Sequence, residues 1–236
     1  MRSLAALSPR ARACTLPPMD SLAPFIQNVC LWALPVLTAV VLHEVAHGYV
    51  AFRLGDPTAA QLGRLTLNPL AHVDLFGTII LPGLLLLSGV PFLFGYAKPV
   101  PVNVLNLRNP RHGMVLVALA GPMMNLLLAA VFAFAFRFLH SMQVPTEGML
   151  AANLEFLTRM TGYGVLMNVG LAVFNMLPLP PLDGGRVATG LLPRAPAIAL
   201  ARLEPYGMLI IMGLMATGAL NHVLRPMTRF LVRTLL

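Results

Sequence analysis

Charge is scarce in this chain. Of its 236 residues 10% are Asp, Glu, Lys or Arg and 58% are hydrophobic, which excludes a soluble domain, since no core of this size hides so much apolar side chain. The apolar runs also lack period-two alternation, which excludes outer-membrane strands and leaves helices as the spanning structure. Cysteine is nearly missing. Cys14 and Cys30 have neither the spacing of a zinc knuckle nor that of a disulfide framework, and no role follows for them. The stretches between apolar runs are too short for an accessory PDZ or CBS module.

A net charge of +8 would point to nucleic acid in a soluble protein. Here the basic residues fall in short gaps between apolar runs and at the two ends, so they read as topology signals and headgroup contacts, with no nucleic-acid partner expected. The basic, proline-containing stretch 1–25 is predicted as a disordered tail, with Met19 an alternative start. Residues 26–236 form a single membrane-embedded domain.

Four segments have the length and composition of crossings: residues 26–52, 113–139, 161–182 and 206–224. A fifth, 76–94, is shorter and carries Pro82, Gly83 and Pro91, with Gly95 just beyond, which interrupt a helix and permit a re-entrant turn. The final stretch spaces Arg225, Arg229 and Arg233 four apart, the pattern of an interfacial helix. The fold class is therefore all-α, a multi-pass transmembrane bundle with a three-span core at 26–52, 113–139 and 161–182.

Near the end of the first span the chain reads Val41-Leu42-His43-Glu44-Val45-Ala46-His47-Gly48. Two histidines four apart stand one above the other on a helix, about 6 Å along its axis, suited to gripping one zinc ion. Glu44 follows the first histidine and is placed to accept a proton from a water whose pKa zinc lowers to about 7. Three ionisable groups in an apolar span cost several kcal/mol, on the order of 2.5–3.5 each for a charged group at mid-membrane, unless paired, hydrated or bound to an ion. A third ligand must come from elsewhere. Asp183 is the choice, in Asn175-Met176-Leu177-Pro178-Leu179-Pro180-Pro181-Leu182-Asp183-Gly184-Gly185, although an Asp-Gly pair also simply ends helices in turns.

H-E-x-x-H on one span and N-x-x-P-x-P-x-L-D-G-G on a later one resemble the site-2 protease family of intramembrane metalloproteases. The similarity runs from about residue 26 to 190, including Ala120-Gly121-Pro122-Met123-Met124-Asn125 and the loop Ala97-Lys98-Pro99-Val100-Pro101-Val102-Asn103, which is similar to that of short bacterial members. The resemblance implies Zn2+ held by His43, His47 and Asp183, with Glu44 as catalytic base. It further implies that Asn175 contacts the scissile peptide and that Gly121 and Asn125 form a substrate-side surface. Substrates would be membrane proteins, cut within or at the bilayer in regulated intramembrane proteolysis.

For the two ligand-bearing spans to meet with their C-terminal ends together they must run in the same direction, so 76–94 and 113–139 cannot both cross. The shorter, 76–94, becomes a re-entrant hairpin. The catalytic face then collects Arg53, Arg64, Lys98, Arg108, Arg111, Arg186, Arg194 and Arg202, against Arg137 and Arg159 opposite, which puts it in the cytoplasm of a bacterial cell. The rival reading is a metal transporter or sensor using the same residues, or a non-catalytic homologue. A spare glutamate beside a three-ligand site argues against transport, which needs no general base. His72, His112, His140 and His222 lie in loops or near span ends and are not taken as ligands; Glu147, Glu155 and Glu204 are the alternative third ligands.

Overall fold

Long apolar runs fold here as helices whose limits are set by glycine, asparagine and proline. The computed structural model describes residues 19–89, 95–142 and 148–236. Among these there are nine α-helices and no strand: α1 Met19–Arg53, α2 Thr58–Gln61, α3 Leu81–Leu87, α4 Pro110–Ser141, α5 Met149–Asn175, α6 Asp183–Leu191, α7 Arg194–Ala201, α8 Glu204–Ala216 and α9 Ala219–Leu235. Two of them, over Val29–Arg53 and Pro110–Ser141, are long and apolar enough to cross a membrane. A third is added if α7 and α8, bent by 66° at their junction, count as one span.

The helix directions follow from who touches whom. Along α1, Ala39, His43 and His47 meet Asn125, Gly121 and Val117 of α4, an order that descends as the first ascends. Along α4, Asn125, Phe132 and Phe136 meet Asn168, Gly164 and Gly162 of α5. Helix α4 is therefore antiparallel to both neighbours, and α1 and α5 run in the same direction. Buried Ala129 and Ala133 of α4 pack on Val165, Val169 and Val173 of α5, small residues against β-branched ones, which brings the two backbones close.

Everything from 54 to 109 is an excursion from one end of this bundle. Gly55, at φ 111°, ends α1 in a conformation that a side chain would strain. The Leu54 carbonyl then accepts from Arg108 N at 3.0 Å, just before Asn109 caps α4 and Pro110 occupies its first turn. Buried Asp56 fastens the closure, accepting from Asn103 N at 2.7 Å and Asn106 Nδ2 at 3.0 Å. Within the excursion Tyr96 N donates to Gly77 O at 3.0 Å and Thr78 Oγ1 to Tyr96 O at 2.9 Å. The first turn of the apolar helix over Leu75–Leu87 is thus held beside Tyr96.

Several sequence expectations are corrected. Residues 19–25, assigned to a disordered tail, begin α1; residues 1–18 lie outside the described residues, as does Cys14. The segment expected at 161–182 falls on α5, which starts at Met149 and stops at Asn175 and is not one of the two helices long and apolar enough to cross a membrane. The span expected at 206–224 is two helices parted at Gly218, which takes φ 72°. Pro82 does not end the helix: a π-helical turn over Leu75–Ile80 runs directly into α3, whose second residue is Pro82. Pro91 lies outside the described residues. The expected interfacial helix is the latter part of α9, whose Leu231, Val232 and Leu235 pack against the α4–α5 core while Arg225, Arg229 and Arg233 are exposed.

Candidate metal centre

Two helices converge on one point. Helix α1 brings His43 and His47, one turn apart, and α6 brings Asp183 as its first residue. Asp183 can sit there because the next two residues are glycines. A Cβ on Gly184 would strike the carbonyls of Met176 and Leu177, and one on Gly185 would strike the backbone of Leu179 and Pro180. The D-G-G sequence thus lets the start of α6 press onto the turn that follows α5.

The ligand atoms face each other. His43 Nε2 lies 2.9 Å from His47 Nε2, and Asp183 Oδ2 lies 3.2 and 3.3 Å from these two nitrogens. All three side chains are buried. Bonds of about 2.0–2.1 Å to a tetrahedral zinc would separate ligand atoms by roughly 3.3 Å, close to these spacings. The far nitrogens settle the tautomers: His43 Nδ1 donates to Asn125 Oδ1 at 2.6 Å and His47 Nδ1 to Val117 O at 2.7 Å. Both Nε2 lone pairs are then left pointing at one place, a mutual repulsion that a cation relieves. Donor set, spacing and orientation fit zinc.

Asn125 is itself held on the other side, its Nδ2 donating to Ala39 O at 3.1 Å and Asn168 Oδ1 at 3.0 Å, with Asn168 Nδ2 donating to Gly164 O at 2.9 Å. Both asparagines are 0% exposed. Asn125, expected on a substrate-side surface, stands instead behind a ligand. Gly121 adjoins the ligands: a Cβ there would come within 2.5 Å of His43 Cε1 and 2.6 Å of His43 Nε2, and would strike His47 Nε2 too. Glycine at 121 makes room for the imidazoles.

A cavity of about 350 Å3 opens beside the ligands, mostly apolar, lined by all three of them together with Glu44, Asn175, Arg186, Tyr96 and Val100. Glu44 is adjacent to the first ligand in sequence, and its Oε2 accepts from Val100 N at 2.9 Å. Asn175 reaches the cavity from the last turn of α5, donating Nδ2 to Leu171 O at 3.1 Å. Residues between Gly95 and Val102 form one wall. His72, buried and bonded to Thr66 O at 2.9 Å, serves the excursion and takes no part in the centre. Among the described residues, Glu155 pairs with Arg159 and Glu204 stands at the start of α8; Glu147 lies outside them.

Sequence reasoning missed Asn168, Val117 and Arg186. A lone asparagine in the apolar stretch Val165–Val173 is a signal that could have been read, since a buried amide in such a helix needs a partner. A backbone carbonyl such as that of Val117 has no sequence signature.

A family model described as peptidase family M50 matches residues 140–216, the stretch that carries Asn175 and Asp183. The chain is 39% identical to YwhC of Bacillus subtilis, a candidate zinc metalloprotease by its name, over 88% of this chain and 87% of that one. It is 32% identical to Rip2 of Mycolicibacterium smegmatis, named in the same way, over 88% of this chain and 73% of that one. Coverage of that extent necessarily contains both His43 and Asp183. Zinc metalloprotease MJ0392 of Methanocaldococcus jannaschii is 22% identical over 71% of this chain and 37% of that one. No solved structure matches the chain.

Proposed function

The chain belongs to peptidase family M50, the site-2 type of zinc metalloprotease, and from that premise we propose that it hydrolyses peptide bonds in transmembrane or membrane-associated segments of other proteins, in regulated intramembrane proteolysis. The observation that carries this is the convergence of His43, His47 and Asp183 at 2.9–3.3 Å beside a cavity that also holds Glu44.

In this reading His43, His47 and Asp183 hold the zinc. When bound, zinc supplies Lewis acidity, polarising a carbonyl and acidifying water. Glu44 is positioned by Val100 N through one carboxylate oxygen, which leaves the other to take a proton from water and hand it to the departing amine nitrogen. The mostly apolar cavity wall excludes bulk water and accepts an apolar segment. A substrate helix must open locally there, because its carbonyls are otherwise engaged in its own hydrogen bonds.

Membrane placement follows the same frame. Helices α1, α4 and α5 are proposed as the three core crossings. Helix α5, at 27 residues, is about 40 Å long, with Asn168 turned to its neighbours. The Leu54–Arg108 and Gly77–Tyr96 contacts support a re-entrant 76–94, since a segment whose two ends meet cannot finish on the far face. The centre then lies toward the face bearing Arg53, Arg64, Lys98, Arg108, Arg111, Arg186, Arg194 and Arg202, proposed as the cytoplasmic face of a bacterial membrane.

The test is zinc content of the purified full chain by elemental analysis, alongside cleavage of a transmembrane substrate. Wild type should hold about one zinc and cut; Glu44→Gln should keep zinc without cutting; Asp183→Ala should lose both. Zinc retained by a wild type that transports metal and cuts nothing would refute the proposal.

A further inference from the structure

The cavity contains a charge that the ligand set does not use. Arg186 follows Asp183 by three residues on α6, hence on the same helix face, and it lines the cavity with Glu44 and the metal ligands. It carries the one permanent positive charge among the described lining residues. Its guanidinium makes no hydrogen bond or ion pair among the described residues, and neither Glu44 nor Asp183 comes within ion-pairing distance of it. Partly withdrawn from solvent on a mostly apolar wall, a guanidinium without a counter-charge is costly, and an anion that arrives with the substrate or forms during the reaction would supply one.

Resting on the protease reading, we propose that Arg186 is a catalytic residue that receives the scissile carbonyl oxygen as it becomes an oxyanion. When water oxygen bonds to the carbonyl carbon, the C=O π pair moves onto the carbonyl oxygen, and the Arg186 N–H groups donate to it. Glu44 takes the water proton; as the oxyanion re-forms C=O, the C–N bond breaks and its electron pair on nitrogen takes that proton. A carboxylic acid, which ionises to carboxylate, and an amine leave, and no other reactant is needed. Arginine suits the task because it stays protonated and presents several planar donors. Asn175, which the resemblance places at the scissile peptide, has one amide hydrogen engaged by Leu171 O at 3.1 Å and is uncharged, so it is the weaker donor of the two.

The experiment uses the full zinc-loaded chain in detergent and compares wild type, Arg186→Gln and Arg186→Lys. It measures kcat and KM on a transmembrane substrate, zinc content, and affinity for two probes: the same segment with a phosphinate at the scissile position, and the unmodified segment bound to the Glu44→Gln background. Expected for Arg186→Gln is a kcat about 10²–10³-fold lower, a similar loss of phosphinate affinity, and unchanged KM, zinc content and unmodified-segment affinity. Arg186→Lys should recover part of kcat. Unchanged kcat, a change confined to KM, or equal weakening of both probes would overturn the proposal. Lost zinc or a lost fold in Arg186→Gln, with Arg186→Lys retaining zinc but cutting no better, would overturn it as well. If wild type cuts nothing, the protease reading itself fails, which the Arg186 variants cannot mimic.

Discussion

Asn125 holds His43 from behind: its Oδ1 lies 2.6 Å from His43 Nδ1, while its amide is fixed by Ala39 O and by Asn168. The ring can then neither flip nor change tautomer without breaking a fully buried chain of hydrogen bonds running from α1 through α4 to α5. Asn125→Ala should lower zinc affinity about 10–100-fold, the usual cost of losing a ligand's outer partner. Competition with a chelator of known affinity measures it. An unchanged affinity would mean that packing alone orients His43.

Gly121 leads to a steric prediction. A methyl group there collides with both imidazoles, so Gly121→Ala should abolish stoichiometric zinc binding and cleavage. Gly170→Ala on α5, where a Cβ meets nothing within 4 Å, should leave both intact. Elemental analysis of the two variants side by side is decisive.

A pH dependence should appear at Asp56. Burial alone would raise its pKa, but hydrogen bonds from Thr58, Asn106 and Asn103 outweigh that and hold its carboxyl below the usual range. A depressed folded pKa contributes stability above the unfolded value, about 3.9, and loses it as pH falls from there toward the folded value. Asp56→Ala should cost about 1–3 kcal/mol near neutral pH. Melting curves of variant and wild type should stay a constant distance apart down to about pH 5 and draw together below about pH 4. A gap that widens in acid contradicts this.

The excursion can be mapped by chemical labelling. In a background lacking Cys14 and Cys30, single cysteines at Leu70 and Leu105, both exposed, should react with an impermeant reagent from the same side of sealed vesicles. Gly148, at the α4–α5 connection, should react from the other side. Labelling of Leu70 and Leu105 from opposite sides would make 76–94 a crossing.

Much of this centre was legible in the sequence because its logic is local. His43, Glu44 and His47 owe their arrangement to helical periodicity, and Asp183 to a turn signal attached to an apolar run. Helix limits were less legible. Helix α5 begins at Met149, after Gly148 at φ 105°, and so takes in Glu155 and Arg159, which looked like loop charges and pair one turn apart at 2.5 Å. The Gly218 break was hidden because a glycine in an apolar run need not adopt a left-handed conformation. What stayed invisible were relations between distant segments: Asn125 with His43, Asn168 with Asn125, and the room that Gly121 leaves. The family pattern put Asn125 and Gly121 beside the site, and only the packing shows that they serve the ligands.

The third ligand lies 140 residues after the first. At ordinary rates of synthesis, the helix bearing both histidines is made on the order of ten seconds before Asp183 exists. During that interval a half-finished chain in the membrane has two imidazoles and a glutamate but no completed hydrolytic centre. A centre split so widely along the chain assembles only as the fold closes, so acquisition of zinc reports that the contact between α1 and α6 has formed.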